Sequence, residues 1–154
     1  MAFEESARTL LIAHAVLGFT AVFAGTHHAA HAVIAALGKP QLLALQRFGW
    51  IAPAALVLQA ACGLMLYPTY RVRVRAADLE RSAPVVVQLF NFKEHLSALA
   101  LALIVAAALA GRASTRPDAP REVRWPVAAL SCTGALFLWA AALIGLYVTA
   151  RHPV

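Results

Sequence analysis

Five of the six histidines in this 154-residue chain fall in or beside long apolar runs, His14, His27, His28 and His31 in the first and His95 in the third. An ionisable side chain at membrane depth is costly and usually faces a bundle interior or a cavity, so these positions are candidate sites of chemistry. Imidazole ligates iron and other transition metals through one ring nitrogen while the other holds a hydrogen bond. At 100° per residue, His14 and His28 return to within roughly 40° of one helix face and stand about 21 Å apart along its axis. Gly18, Ala21 and Gly25 lie between them on that face. So bare a surface either lets another helix approach closely or leaves room for a flat macrocycle held by a histidine, and the flanking imidazoles favour the macrocycle.

The stretch "NFKEHLSALALAL", residues 91–103, carries the other half of that expectation. With helix starts at Ser6 and Pro84, His14 lies about 12 Å and His95 about 16 Å into helices that run in the same direction. Gln88, Asn91 and His95, with Glu94 beside them, recur at spacings of three and four and make a polar stripe expected to face inward. Two level imidazoles on different helices can fill both axial positions of a haem b iron, and His14 with His95 is the expected pair. Lys93 and Glu94 would pair with each other, with a propionate or with an imidazole N–H, or act as a proton relay. The simpler alternative is that Lys93 snorkels to the headgroups and His95 bonds a neighbour. Tyr70 with Arg71, or Arg73, would meet the propionates, since a guanidinium fork matches a carboxylate. Near the opposite membrane face, His27 and His31 are spaced to chelate one metal ion, and His28 could hold a second haem alone. Cys132 is the one soft ligand expected nearby.

The elements that must position these groups follow from composition. The chain is 62% hydrophobic and 13% charged, against roughly 25% charge in a soluble domain. Apolar runs at 7–37, 48–67, 85–111 and 125–150 each reach the roughly 20 residues needed to cross hydrocarbon. An all-α, antiparallel four-helix integral membrane bundle in one domain, residues 1–154, is the expected fold. The leader "MAFEESAR" has two glutamates in place of a basic region and does not read as a cleavable signal. A net charge of +6 leaves no soluble basic surface for nucleic acid once the spans are removed. With four crossings, Arg8, Arg71, Arg73, Arg75, Arg81, Lys93 and Arg151 fall on the side of the N-terminus. Lys39, Arg47, Arg112, Arg116, Arg121 and Arg124 fall opposite, so the charge bias does not choose an orientation. Cys62 and Cys132 sit in separate spans and read as small packing residues. Gly38 with Lys39 and Pro40 is expected to end helix 1, and Tyr67-Pro68 to end helix 2. Arg71, Arg73 and Arg75 alternate with Val72 and Val74, which predicts an extended segment at the interface.

His14 in "LIAHAVLGF", the segment "RFGWIAPAALVLQAACGLML" and Lys93 in "FNFKEH" together give a resemblance. The chain is similar to the superfamily of small four-helix membrane haem proteins, which includes the four-helix protoporphyrinogen IX oxidase of bacteria and the related copper-resistance membrane proteins. Likeness to that superfamily implies b-type haem and, in the oxidase, porphyrinogen oxidation coupled to quinone. The chain departs from the oxidase pattern with "THHAAH" in place of a Pro-Arg pair, and with Leu89 where the oxidase has tryptophan.

The expected function is therefore a multi-pass b-type cytochrome of a bacterial plasma membrane, in contact with lipid. It would carry electrons with quinone, or as part of a homo-oligomer or a larger respiratory or photosynthetic complex. The alternatives are a haem-dependent oxidase of a porphyrinogen or quinol, a non-catalytic structural subunit, and a metal transporter built on His27, His28 and His31.

Overall fold

In hydrocarbon every backbone polar group must find its partner within the segment, so long apolar runs become helices. The computed structural model describes residues 2–39, 41–116 and 120–151, and side chains throughout these except at 2–5, 73, 74, 77, 78 and 151. Helix α1 spans Ala2–Ala36 and α2 spans Leu42–Thr69; a π-helical segment, Tyr70–Leu79, leads into the single turn α3, Glu80–Ser82. Helix α4 spans Pro84–Ser114, and a 3₁₀ turn, Arg121–Val123, opens into α5, Arg124–Arg151. The segments Ser6–Ala36, Leu42–Val72, Pro84–Ser114 and Arg121–Ala150 are long and apolar enough to cross a membrane, which makes this a multi-pass membrane protein. No strand occurs among the described residues.

The stop signal after α1 works as its sequence implies. Gly38 takes φ +91°, the Gly38 N–H bonds the Ala35 carbonyl, and the Lys39 N–H bonds the Ile34 carbonyl. That is a Schellman closure with glycine in the left-handed position. Two arginines reach the same helix end from across the molecule, where Arg121 Nε donates to the Ala36 carbonyl at 2.9 Å and Arg124 adds a second, longer bond of 3.5 Å to the Ala35 carbonyl.

The connector after α2 corrects the sequence reading in two ways. Helix α2 runs through Pro68 to Thr69 and passes directly into the π-helical turns, so residues 71–75 are helical and not extended. Proline lacks an N–H and crowds the carbonyl four residues back, and a wider turn after it relieves the crowding while keeping backbone groups bonded. The Tyr70 N–H is shared between the Leu66 and Tyr67 carbonyls. Leu79 is then fully buried against Val86, Val87 and Val148, which anchors the segment more firmly than a period-two pattern of valines could.

Helix α1 packs along α2 and α5, α4 packs along α5, and α2 meets α4 over a shorter seam. Cross-helix clusters fix the relation of the ends. Ala35, Ala36, Leu45 and Val127 join the end of α1 to the starts of α2 and α5, while Leu79, Val86, Val87 and Val148 join the start of α4 to the end of α5. Ala21, Ala24, Ala52, Ala100, Ile104 and Leu138 occupy the middle. A core this rich in alanine is how membrane helices gain contact, because close backbone approach supplies dispersion energy where lipid offers no hydrophobic drive. Phe19, Phe23, Leu58, Leu99, Leu136 and Leu143 point outward, as a lipid-facing shell requires.

Candidate functional site

Among the described residues His28 is the one histidine that is fully enclosed, 1% exposed. Its setting fixes the state of its ring. Ser131 on α5 donates its hydroxyl proton to the Val127 carbonyl at 2.7 Å, so the 3.2 Å contact between Ser131 Oγ and His28 Nδ1 has the imidazole N–H as donor. The neutral ring therefore carries its lone pair on Nε2.

That lone pair meets open space. A methyl group built on Gly49 of α2 would stand 3.1 Å from Nε2, and one on Gly111 of α4 would stand 3.9 Å away. Glycine at both places leaves a cavity of about 210 Å³ in the α2–α4 seam, lined inside by Leu45, Pro53, Val105 and Ala108. Pro53 has no N–H to give the Gly49 carbonyl, so the helix wall itself has an acceptor without its usual α-helical donor. At the mouth, the Arg112 guanidinium lies 4.0 Å from the centre of the Trp50 ring, and Gln46 donates to Thr115 at 3.2 Å. The arrangement is a fixed nitrogen ligand, backed by a hydrogen-bonded hydroxyl, at the end of an apolar slot.

His14 is fixed in the same tautomer but in a different setting. Its Nδ1–H donates to the Gln59 carbonyl at 3.0 Å, and its Cε1 would sit 3.2 Å from a methyl on Gly63. The ring is wedged into the α1–α2 seam. The stem of Lys93 crosses Gly145 of α5, where an added methyl would come within 3.3 Å of Cε, and its ammonium lies 5.2 Å from the centre of the Phe90 ring. Lys93 thus lies against α5 and the Phe90 ring, while Glu94 is exposed.

The structure does not bring His95 to His14. The buried register of α4 is Leu96, Ala100, Ile104, Ala107 and Gly111, and His95 is exposed together with Glu94 and Leu99. Small residues set which face of α4 enters the seam, and the polar stripe of Gln88 and His95 is left outside it. Gly18 and Gly25 also serve packing: a methyl on Gly18 would stand 2.9 Å from Gln59 Nε2, and one on Gly25 2.9 Å from Leu138 Cδ1.

His27 and His31 flank Phe48, with ring centres 4.9 and 5.7 Å from it and 6.3 Å from each other. The three rings form an aromatic stack. Among the described residues no group of three or more His, Cys, Asp or Glu side chains is placed to hold a metal ion, and Cys132 is a half-buried free thiol. At the His14 end, Tyr70 stacks on Phe90 at 4.2 Å and Arg75 bonds Glu80 at 3.0 Å and Asn91 at 3.4 Å. Arg71 is exposed there, and the Arg73 side chain lies outside the described residues. All are remote from His28.

Ser131, Gly49, Gly111, Trp50 and Arg112 were not singled out by the sequence reading. The available signals were Pro53 four residues after Gly49, which breaks a helical bond at that level, and a Gly-Arg pair closing α4. No family model, no curated protein and no solved structure matches this chain.

Proposed function

We propose that this chain is an antiparallel four-helix membrane bundle that binds one haem b through His28 and exchanges single electrons within the membrane. The observation that carries the reading is the His28 ring, locked by Ser131 so that its Nε2 lone pair enters an apolar cavity framed by two glycines. Metal-bound imidazoles depend on such an outer hydrogen bond to fix tautomer and orientation. The cross-helix clusters support the antiparallel arrangement, since each end joins helix starts to helix ends.

Bound haem would supply a one-electron couple. The protein's own part would be to hold the His28 ring in place through Ser131 and to line the cavity with the apolar side chains of Leu45, Val105 and Ala108. His28 is the one histidine among the residues that line the cavity, and neither cysteine nor methionine lines it. The test is reconstitution of the detergent-purified protein with haemin. A Soret band shifted by carbon monoxide in the reduced state is expected, lost in His28→Ala and kept in His95→Ala. Full occupancy in His28→Ala would overturn the reading.

One observation favours a second reading, a quinol headgroup in the same cavity. The volume of about 210 Å³ is below the roughly 300 Å³ at which most ligand pockets begin, and a single ring fits it without extending along the α2–α4 seam. Nε2 would accept the quinol hydroxyl. In that case haemin leaves the purified protein without a Soret band, while a quinol analogue protects it from thermal unfolding and His28→Ala removes the protection.

A further inference from the structure

An ionisable side chain within a membrane span ordinarily faces the bundle interior, and the outward residues are apolar, as Phe19, Phe23, Leu136 and Leu143 are here. Helix α4 departs from that rule. Its inner face is Leu96, Ala100, Ile104, Ala107 and Gly111, while Gln88, Glu94 and His95 are exposed on the outside. The span Pro84–Ser114 has Leu99 at its middle, so His95 lies about 6 Å and Glu94 about 7.5 Å from the centre at 1.5 Å per residue. Both are well inside a hydrocarbon core roughly 30 Å thick. An imidazole and a carboxylate left against lipid at that depth are costly, and a polar partner there removes the cost.

The same face is built for close approach. Ala98, Ala102 and Ala106 are exposed at intervals of four, and at 100° per residue all three fall within about 60° of His95 around the axis. Small residues repeated in this way let a second helix come near, and polar groups beside them bond across the contact. The face is also complementary to itself in charge, since it carries an acid and a base at one level. Two copies inserted in the same sense are related by a two-fold axis along the membrane normal, which sets α4 beside its own counterpart at equal depth. Glu94 and His95 differ in height by one residue, about 1.5 Å, and Glu94 lies about 100° around from His95. With His95 central, Glu94 stands at the edge of the contact and reaches across it.

We propose that the chain forms a parallel homodimer through the outer face of α4, with Ala98, Ala102 and Ala106 in the seam and the ring N–H of each His95 donating to the partner's Glu94. The dimer depends on neither haem nor quinol.

Disulfide cross-linking of the full chain in lipid vesicles tests the contact, because only a second copy gives a product of twice the mass. With Cys62 and Cys132 replaced by alanine, Ala102→Cys is expected to cross-link readily, and Leu136→Cys, on the lipid face of α5, is not. No product at 102, or as much at 136, overturns the proposal without requiring a disruptive variant to fold. The pairing is read from the dissociation constant, measured by energy transfer between donor- and acceptor-labelled copies over a range of lipid-to-protein ratios. His95→Leu and Glu94→Leu should each weaken association roughly fivefold or more, and the double variant no more than the larger single loss. Unchanged association in both single variants, or a double loss equal to the sum of the two, overturns the bond between Glu94 and His95.

Discussion

Ser131 decides what His28 can do. Its hydroxyl has one proton, and that proton is spent on the Val127 carbonyl, so the imidazole must donate from Nδ1 and present a lone pair from Nε2. Ser131→Ala removes the acceptor and leaves a buried N–H free to rotate or to change tautomer. Haem affinity is expected to fall by roughly tenfold or more, within the range seen for lost outer-shell partners, with the far-ultraviolet helical signal unchanged. Unaltered affinity in that variant would mean that Ser131 does not orient the ligand. Gly49 provides a complementary test, because a side chain there enters the space beside Nε2. Gly49→Leu is expected to abolish binding while His14→Ala, in the α1–α2 seam, retains it. Loss of haem in His14→Ala with binding intact in Gly49→Leu would move the site to the other end of the molecule. None of this partnership was legible in sequence. His14 and His28 share a helix face by periodicity, yet a drift of roughly 40° is enough to turn one ring toward α2 and the other toward the junction of α2, α4 and α5. Which serine meets which ring depends on how α5 docks, and no local pattern encodes that.

Helices, by contrast, were readable to within about a turn except at the start of α2, which begins at Leu42 and not near residue 48, because the cost of an unpaired backbone in hydrocarbon leaves long apolar runs no other structure. Where the element reading failed, at residues 70–79 and on the inward face of α4, a second rule outweighed the one applied. Backbone satisfaction at the membrane boundary prevailed over the alternation of Arg71, Arg73 and Arg75. Close packing through Ala100, Ile104 and Gly111 prevailed over the polar stripe containing His95. The end of α1 shows both levels acting together. Gly38 supplies the left-handed φ of +91° and Arg121 reaches over to the Ala36 carbonyl. Gly38→Ala forces a side chain into that conformation, at a cost of about 1 to 2 kcal/mol. Arg121→Ala removes a charge-assisted bond to a helix C-terminus, at a cost of about 1 kcal/mol. Denaturation in mixed micelles should show both losses. The double variant is expected to fall short of their sum, because the two act on one helix end; strict additivity would show that they do not cooperate there.

For the whole molecule, the contacts among helix ends place the start of α1 with the late turns of α2, through His14 and Gln59, and the start of α4 with the end of α5, through Val86 and Val148. The connection after α1 and the connection after α4 meet at the other end, where Arg121 caps Ala36. In the proposed antiparallel bundle, four crossings put residues near Ser6 and near Thr149 on one side of the membrane and Thr115 on the other. The arginine and lysine tally, seven against six, leaves the choice of which side open, but the relation among the three positions does not depend on that choice. Single cysteines at 6, 149 and 115, in a background with Cys62 and Cys132 replaced by alanine, should therefore label with a membrane-impermeant maleimide in sealed vesicles as a pair and an odd one. Positions 6 and 149 react together from one face, and 115 reacts only when the opposite face is opened. Labelling of 6 and 149 from opposite faces would require an odd number of crossings.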